Sequence, residues 1–92
     1  MKYSIEITSR FKRDYKKVKK RGCNIELLKN IVIALANGEK LPPENRDHEL
    51  KGEHKGYREC HIQPDWLLVY KIEEDILILT LSQTGTHSDL FK

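Results

Sequence analysis

The spacing of apolar and polar positions changes along the chain, and each change marks an element. From Tyr3 to Ile7, the apolar Tyr3, Ile5 and Ile7 alternate with Ser4 and Glu6, the period of a half-buried strand. Phe11, Tyr15 and Val18 then fall at i, i+4 and i+7, a narrow stripe on a helix that Ser9 is placed to cap and that runs to about Arg21. Gly22 reads as its C-terminal stop. Asn24 is placed to cap a second helix reaching about Asn37. Ile25, Leu28, Val32 and Leu35 form its inner stripe, and Leu27, Ile31 and Ala34 widen it. A link of two or three residues predicts an antiparallel helical hairpin.

From Asn37 to Lys55 the chain is punctuated by Gly38, Pro42-Pro43 and Gly52, which reads as mostly loop with at most a short turn. A loop of that length in a small domain suggests a task. Three strands follow, Tyr57–Ile62, Trp66–Ile72 and Ile76 to about Ser82, separated by Gln63-Pro64-Asp65 and Glu73-Glu74-Asp75. Short turns make them an antiparallel meander, and Thr84-Gly85-Thr86 breaks the last strand. The predicted order is β-α-α-β-β-β, an α+β domain with a small antiparallel-rich sheet and the helical hairpin on one face. In a meander the first strand ends where the second begins, and the third runs back to that edge. His61, Asp65, Trp66 and the segment from Gln83 to His87 are therefore expected to converge.

Composition narrows the class. A chain of 92 residues has room for one domain, spanning 1–92. Trp66-Leu67-Leu68-Val69-Tyr70 is strand-length and too short to span a bilayer, and Met1-Lys2-Tyr3-Ser4 lacks the apolar core of a signal peptide. Cys23 and Cys60 make neither a metal spacing nor a disulfide framework. These features point to the cytoplasm and away from a membrane. The net charge of +3 hides an asymmetry: residues 10–21 carry eight Lys/Arg against Asp14 alone, while the remainder sums to −4. Such a block suits a polyphosphate or an acidic protein, and equally a solvated helix face.

The chain has four histidines, His48, His54, His61 and His87. Imidazole takes and gives protons near neutrality. Metal-free RNA cleavage needs a base for the 2′-OH, a donor or cation for the charged phosphorane, and an acid for the 5′-oxygen. A His, an Asp and a second His at one sheet edge could supply the proton transfers. His48 and His54 also fit as plain surface loop residues. A zinc site would compete for the histidines and Cys60, but no compact ligand pair occurs. Neighbours Cys60 and His61 point to opposite faces of a strand, which leaves Cys60 as a small buried apolar residue.

Several ordered blocks carry a resemblance. Asp47-His48, Leu50-Lys51-Gly52, Lys55-Gly56-Tyr57-Arg58-Glu59-Cys60-His61, Pro64-Asp65-Trp66, Thr84-Gly85-Thr86-His87 and Leu90-Phe91 together resemble the YafQ type of the RelE superfamily over roughly residues 47–91. The resemblance implies a toxin of a type II toxin–antitoxin pair. Such a toxin enters the ribosomal A site and cuts mRNA without a metal or other cofactor, and a cognate DinJ/RelB-like antitoxin encoded nearby restrains it. By position, His48, His61, Asp65 and His87 match the family's acids and bases. His87 is then the general acid, and His61 and Asp65 manage the 2′-OH side with His48 assisting. Trp66 and Phe91 match aromatic site positions, although Trp66 also suits core packing. Within that frame Lys16, Lys17, Lys19, Lys20 and Arg21 would grip ribosomal RNA phosphates by charge.

One position departs from the pattern. The family commonly carries arginine just before the Thr-Gly-Thr-His block, where this chain has Gln83. Glutamine donates hydrogen bonds but brings no charge to a phosphorane. Either Arg58 or a nearby lysine takes over, or the chain is a weak or silent relative that only binds antitoxin or ribosome. An unrelated α+β RNA-binding module is a third reading, disfavoured by the expected convergence of His61, Asp65 and His87.

Overall fold

The computed structural model describes residues 1–91. Its elements are β1 (Ser4–Ile7), α1 (Ser9–Lys20), α2 (Ile25–Ala36), β2 (His48–Glu49), β3 (Arg58–Gln63), β4 (Trp66–Glu73), β5 (Ile78–Gly85) and α3 (His87–Leu90). The strands form one sheet in the order β1-β5-β4-β3-β2, antiparallel throughout except for β1 against β5. The α+β class and the meander of β3, β4 and β5 are as expected. Two elements are additions. Within the expected loop, β2 pairs His48 with Glu59 and Glu49 with Arg58. Two residues are too few to show a period, so only the pairing reveals such a strand. The short α3 follows β5 directly.

Three local expectations shift for physical reasons. The cap of α1 is Thr8, not Ser9: its side chain accepts from Phe11 N at 3.0 Å and also donates to Ser82 O at 2.7 Å. This one residue starts the helix and ties it to β5. Ile5 and Ile7 alternate as predicted but are 38% and 51% exposed, because β1 is an edge strand. The third meander strand begins at Ile78 rather than Ile76 and continues through Gly85. Ile76 and Leu77 sit exposed in the turn, with Leu77 at φ 54°. Gly22, at φ 85°, ends α1 as expected: its N–H reaches Lys19 O, and Cys23 N reaches Val18 O.

The helical hairpin covers one face of the sheet. Phe11 and Val18 of α1 and Leu28 and Leu35 of α2 pack with Cys60, Trp66, Leu68, Tyr70, Leu79 and Leu81 into one cluster. Leu67 and Val69 are also fully buried but lie outside that cluster, on the opposite face. Strand alternation therefore sorts β4 cleanly. Two bulges interrupt the alternation elsewhere. Between β3 and β4 the register passes from His61↔Leu67 to Gln63↔Trp66, leaving Ile62 as the extra residue. Between β4 and β5 it passes from Tyr70↔Leu81 to Val69↔Gln83, leaving Ser82 extra. In an unbroken strand Gln83 would share the helix-covered face with Leu81; the Ser82 bulge turns it to the other face, beside Val69.

Candidate active site

Residues paired across a sheet share a face, so the register maps the uncovered face. His48, Glu59, Val69 and Gln83 form one row across β2, β3, β4 and β5, and His61, Leu67 and Gly85 form the next. Buried Leu67 and Val69 floor this face, with polar side chains around them. The turn of residues 63–65 and the start of α3 close its end, as the meander predicts. His87 Nδ1 lies 2.7 Å from Asp65 Oδ1, and the backbone N–H of His87 donates to the same oxygen at 3.1 Å. The rings of His61 and His87 are 5.6 Å apart. Residues more than twenty positions apart in sequence thus meet within one side-chain length.

Each of the three site histidines has Nδ1 against an acceptor. His48 Nδ1 faces Arg46 O at 2.7 Å, His61 Nδ1 faces Pro64 O at 3.2 Å, and His87 Nδ1 faces Asp65. A carbonyl can only accept, so Nδ1 carries the hydrogen in His48 and His61, and Nε2 is the nitrogen left for chemistry. Hydrogen bonds from the His87 ring, then from its backbone N–H, hold the Asp65 carboxyl below its ordinary range, so it is an acceptor for His87. Asp65 is thus placed as the hydrogen-bond partner of His87, whereas the sequence had grouped it with His61.

Glu59 was missed in the sequence. It is 6% exposed, and its Oε1 lies 3.7 Å from Nε2 of both His48 and His61. A proton taken by either ring thus gains a carboxylate neighbour. The available signal was alternation: Glu59 stands two positions from His61 on a strand otherwise poised to bury its side chains. His54, set aside as a loop residue, also has a partner here. Its ring meets Phe91 edge-on, with centroids 5.8 Å apart.

Two expected site residues prove structural. Trp66 is 4% exposed within the helix-side cluster, and its indole N–H donates to Thr84 Oγ1 at 3.0 Å, so it offers no ring for stacking. Arg58 shares the helix-side face with Cys60, opposite His61. It binds Asp47 Oδ1 at 3.2 Å, which also accepts from the buried Tyr70 hydroxyl at 2.6 Å. Period-two alternation thus removes Arg58 as a stand-in for the missing arginine. Lys71 does fall on the uncovered face, two residues beyond Val69, with its ammonium 5.5 Å from the Tyr57 ring. On α1, Lys16, Lys19 and Lys20 are exposed, while Lys17 lies 3.5 Å from Asp89 and Arg21 binds Asp89 at 2.6 Å. Part of the basic block is therefore engaged within the molecule. Among the described residues no group of three or more His, Cys, Asp and Glu side chains converges as a metal cage.

Fold and site together define an α+β domain with a histidine–carboxylate cluster on the uncovered face of its sheet. Residues 3–92 match the model of the family described as "Bacterial toxin of type II toxin-antitoxin system, YafQ", and the chain belongs to that family. It is 39% identical over 88 residues to the mRNA interferase toxin YafQ of Escherichia coli K12, covering 95% of this chain and 94% of that one. Its structure is similar to that of YafQ from E. coli BL21(DE3), with TM-score 0.92 at 36% identity over 98% of this chain and 99% of that one. It is also similar to a chain of the E. coli DinJ–YafQ complex, with TM-score 0.90 at 37% identity and the same coverage.

Proposed function

We propose that this chain is the toxin of a type II toxin–antitoxin pair and acts as an mRNA interferase, a single domain working on ribosome-bound message in the cytoplasm. The observation that carries the reading is the hydrogen-bonded Asp65–His87 pair facing His61 at 5.6 Å. The 2′-OH attacks the adjacent phosphate and the 5′-oxygen leaves. His87, its Nδ1 held by Asp65, delivers a proton from Nε2 to that oxygen. His61 takes the 2′-OH proton at Nε2 with His48 assisting, and Glu59 lies beside both to stabilise the charge that arrives. Phe91 lies just beyond α3 and offers a ring to a base. Lys16, Lys19 and Lys20 contribute phosphate contacts, which weaken as salt rises. The partner is an antitoxin, as for the relative in the DinJ–YafQ complex. No described helix is long and apolar enough to cross a membrane.

The test is mRNA cleavage on programmed ribosomes, comparing the chain with His87→Ala while ribosome binding is monitored. General acid catalysis is worth roughly 10²–10⁴ in rate, and a loss of that size with binding intact is expected. Equal cutting by both would sink the assignment. A second reading, a weak nuclease, is favoured by Gln83, which the Ser82 bulge presents on the site face without a charge. If it holds, Gln83→Arg raises the cleavage rate by up to about 10²–10³, the range for a transition-state donor. No gain would clear Gln83 as a defect.

A further inference from the structure

The segment carrying Gln83 and His87 is held from behind by one stripe of α1. Arg10, Asp14, Lys17 and Arg21 follow one another at helical spacing, so they line one side of the helix. Asp14 Oδ2 accepts the backbone N–H of Thr84 at 3.1 Å, just past the Ser82 bulge. Arg21 grips the Asp89 carboxylate with two guanidinium nitrogens, at 2.6 and 3.2 Å, and Lys17 approaches it at 3.5 Å. Arg10 donates to Asp89 O at 3.3 Å. Asp89 in turn accepts the N–H of Thr86 at 2.9 Å, while Thr86 Oγ1 accepts the N–H of Asp89 at 3.1 Å. These two reciprocal bonds bracket His87. Gly85 completes the fit: it sits at φ 153°, and a Cβ there would come within 2.8 Å of Asp89 Oδ2.

We propose that Asp89, clamped by Arg21 and Lys17, is a positioning residue that holds His87 against Asp65. The inference rests on the nuclease reading for its kinetic consequence only; the geometry it describes exists with or without cleavage. His87 is exposed and its side chain bonds to an exposed carboxylate on a turn, so neither partner is fixed by burial. The order that His87 needs comes instead from the backbone on either side of it, which Thr84, Thr86 and Asp89 anchor to α1. A displacement of about 1 Å at a reacting group can cost about 10²-fold in rate.

The experiment compares Asp89→Asn and Arg21→Gln, each confirmed as folded at the assay temperature. Two readouts are taken: single-turnover cleavage on programmed ribosomes alongside ribosome affinity, and the NMR signal of the His87 Nδ1 proton. Expected for Asp89→Asn and Arg21→Gln are at least a ten-fold fall in cleavage rate, a ribosome affinity for Asp89→Asn within about two-fold, and loss or broadening of the His87 proton signal. An unchanged proton signal and rate in both single variants, even with a lower Tm, overturns the proposal and leaves a purely structural ion pair. If the parent chain does not cut, the nuclease reading fails separately and the proton signal alone decides the clamp.

Discussion

Strand β3 sends Arg58 and Cys60 to one face of the sheet and Glu59 and His61 to the other, and the two faces use polar groups differently. On the helix-covered face, Asp47 accepts from both Tyr70 and Arg58, and the Tyr70 hydroxyl, already desolvated by burial, is pushed further above its ordinary pKa by that carboxylate. The carboxylate there is held by two donors of its own face. On the uncovered face, one carboxylate serves two imidazoles at 3.7 Å, and each site imidazole keeps Nε2 away from its Nδ1 anchor. Paired buried polar groups rigidify the covered face, whereas on the uncovered face each imidazole keeps a nitrogen beyond its Nδ1 anchor. The two networks are a residue apart in sequence, at Asp47 and His48 and again at Arg58 and Glu59.

Several perturbations break or sharpen that contrast. The largest is Glu59→Gln. Removing the charge beside two imidazoles is expected to lower single-turnover cleavage at least ten-fold, equivalent to ~1.4 kcal/mol; a rate unchanged within two-fold would remove Glu59 from the proton-transfer chain. Next is Tyr70→Phe, on the other face. Leaving Asp47 short of one donor should cost about 1–2 kcal/mol in chemical denaturation, with cleavage nearly unchanged. A kinetic defect larger than the stability defect would blur the division between faces.

Acidification probes the carboxylates on either side of His87. Asp89 is held well below the ordinary carboxylate range, first by Arg21 and then by the Thr86 N–H, and Asp65 is lowered by His87. Depressed folded values mean that their contribution to stability is fully present above the unfolded value near 4 and is lost as pH falls toward the folded values. The Tm difference between the parent and Asp89→Asn should therefore be constant from pH 7 to 5 and shrink below pH 4; a difference that grows on acidification contradicts the ion pair. The smallest effect concerns thiols. Burial, followed by Asp47 and Glu59, pushes Cys60 up to about 12, so native protein should alkylate slowly at Cys60 and faster at the half-buried Cys23. Mass mapping after brief alkylation at neutral pH measures the order.

Much of this was legible in the linear chain because it depends on local periods and short turns. The stripes of Phe11, Val18, Leu28 and Leu35, the stop at Gly22, the cap at Asn24 and the meander that gathers His61, Asp65 and His87 all follow from residue spacing. What the chain could not show alone depends on pairing between distant segments. The two-residue β2 exists only because β3 offers it a ladder, and Ile5 and Ile7 are exposed only because β1 falls at the edge. The Ser82 bulge reverses the facing of Gln83, an effect of register between β4 and β5 that no period within β5 encodes. Asp65 went to His87, Trp66 to the core and Arg58 to Asp47 for the same reason. Residue type says which bonds a side chain can make, and only the packed sheet decides which partner lies within reach.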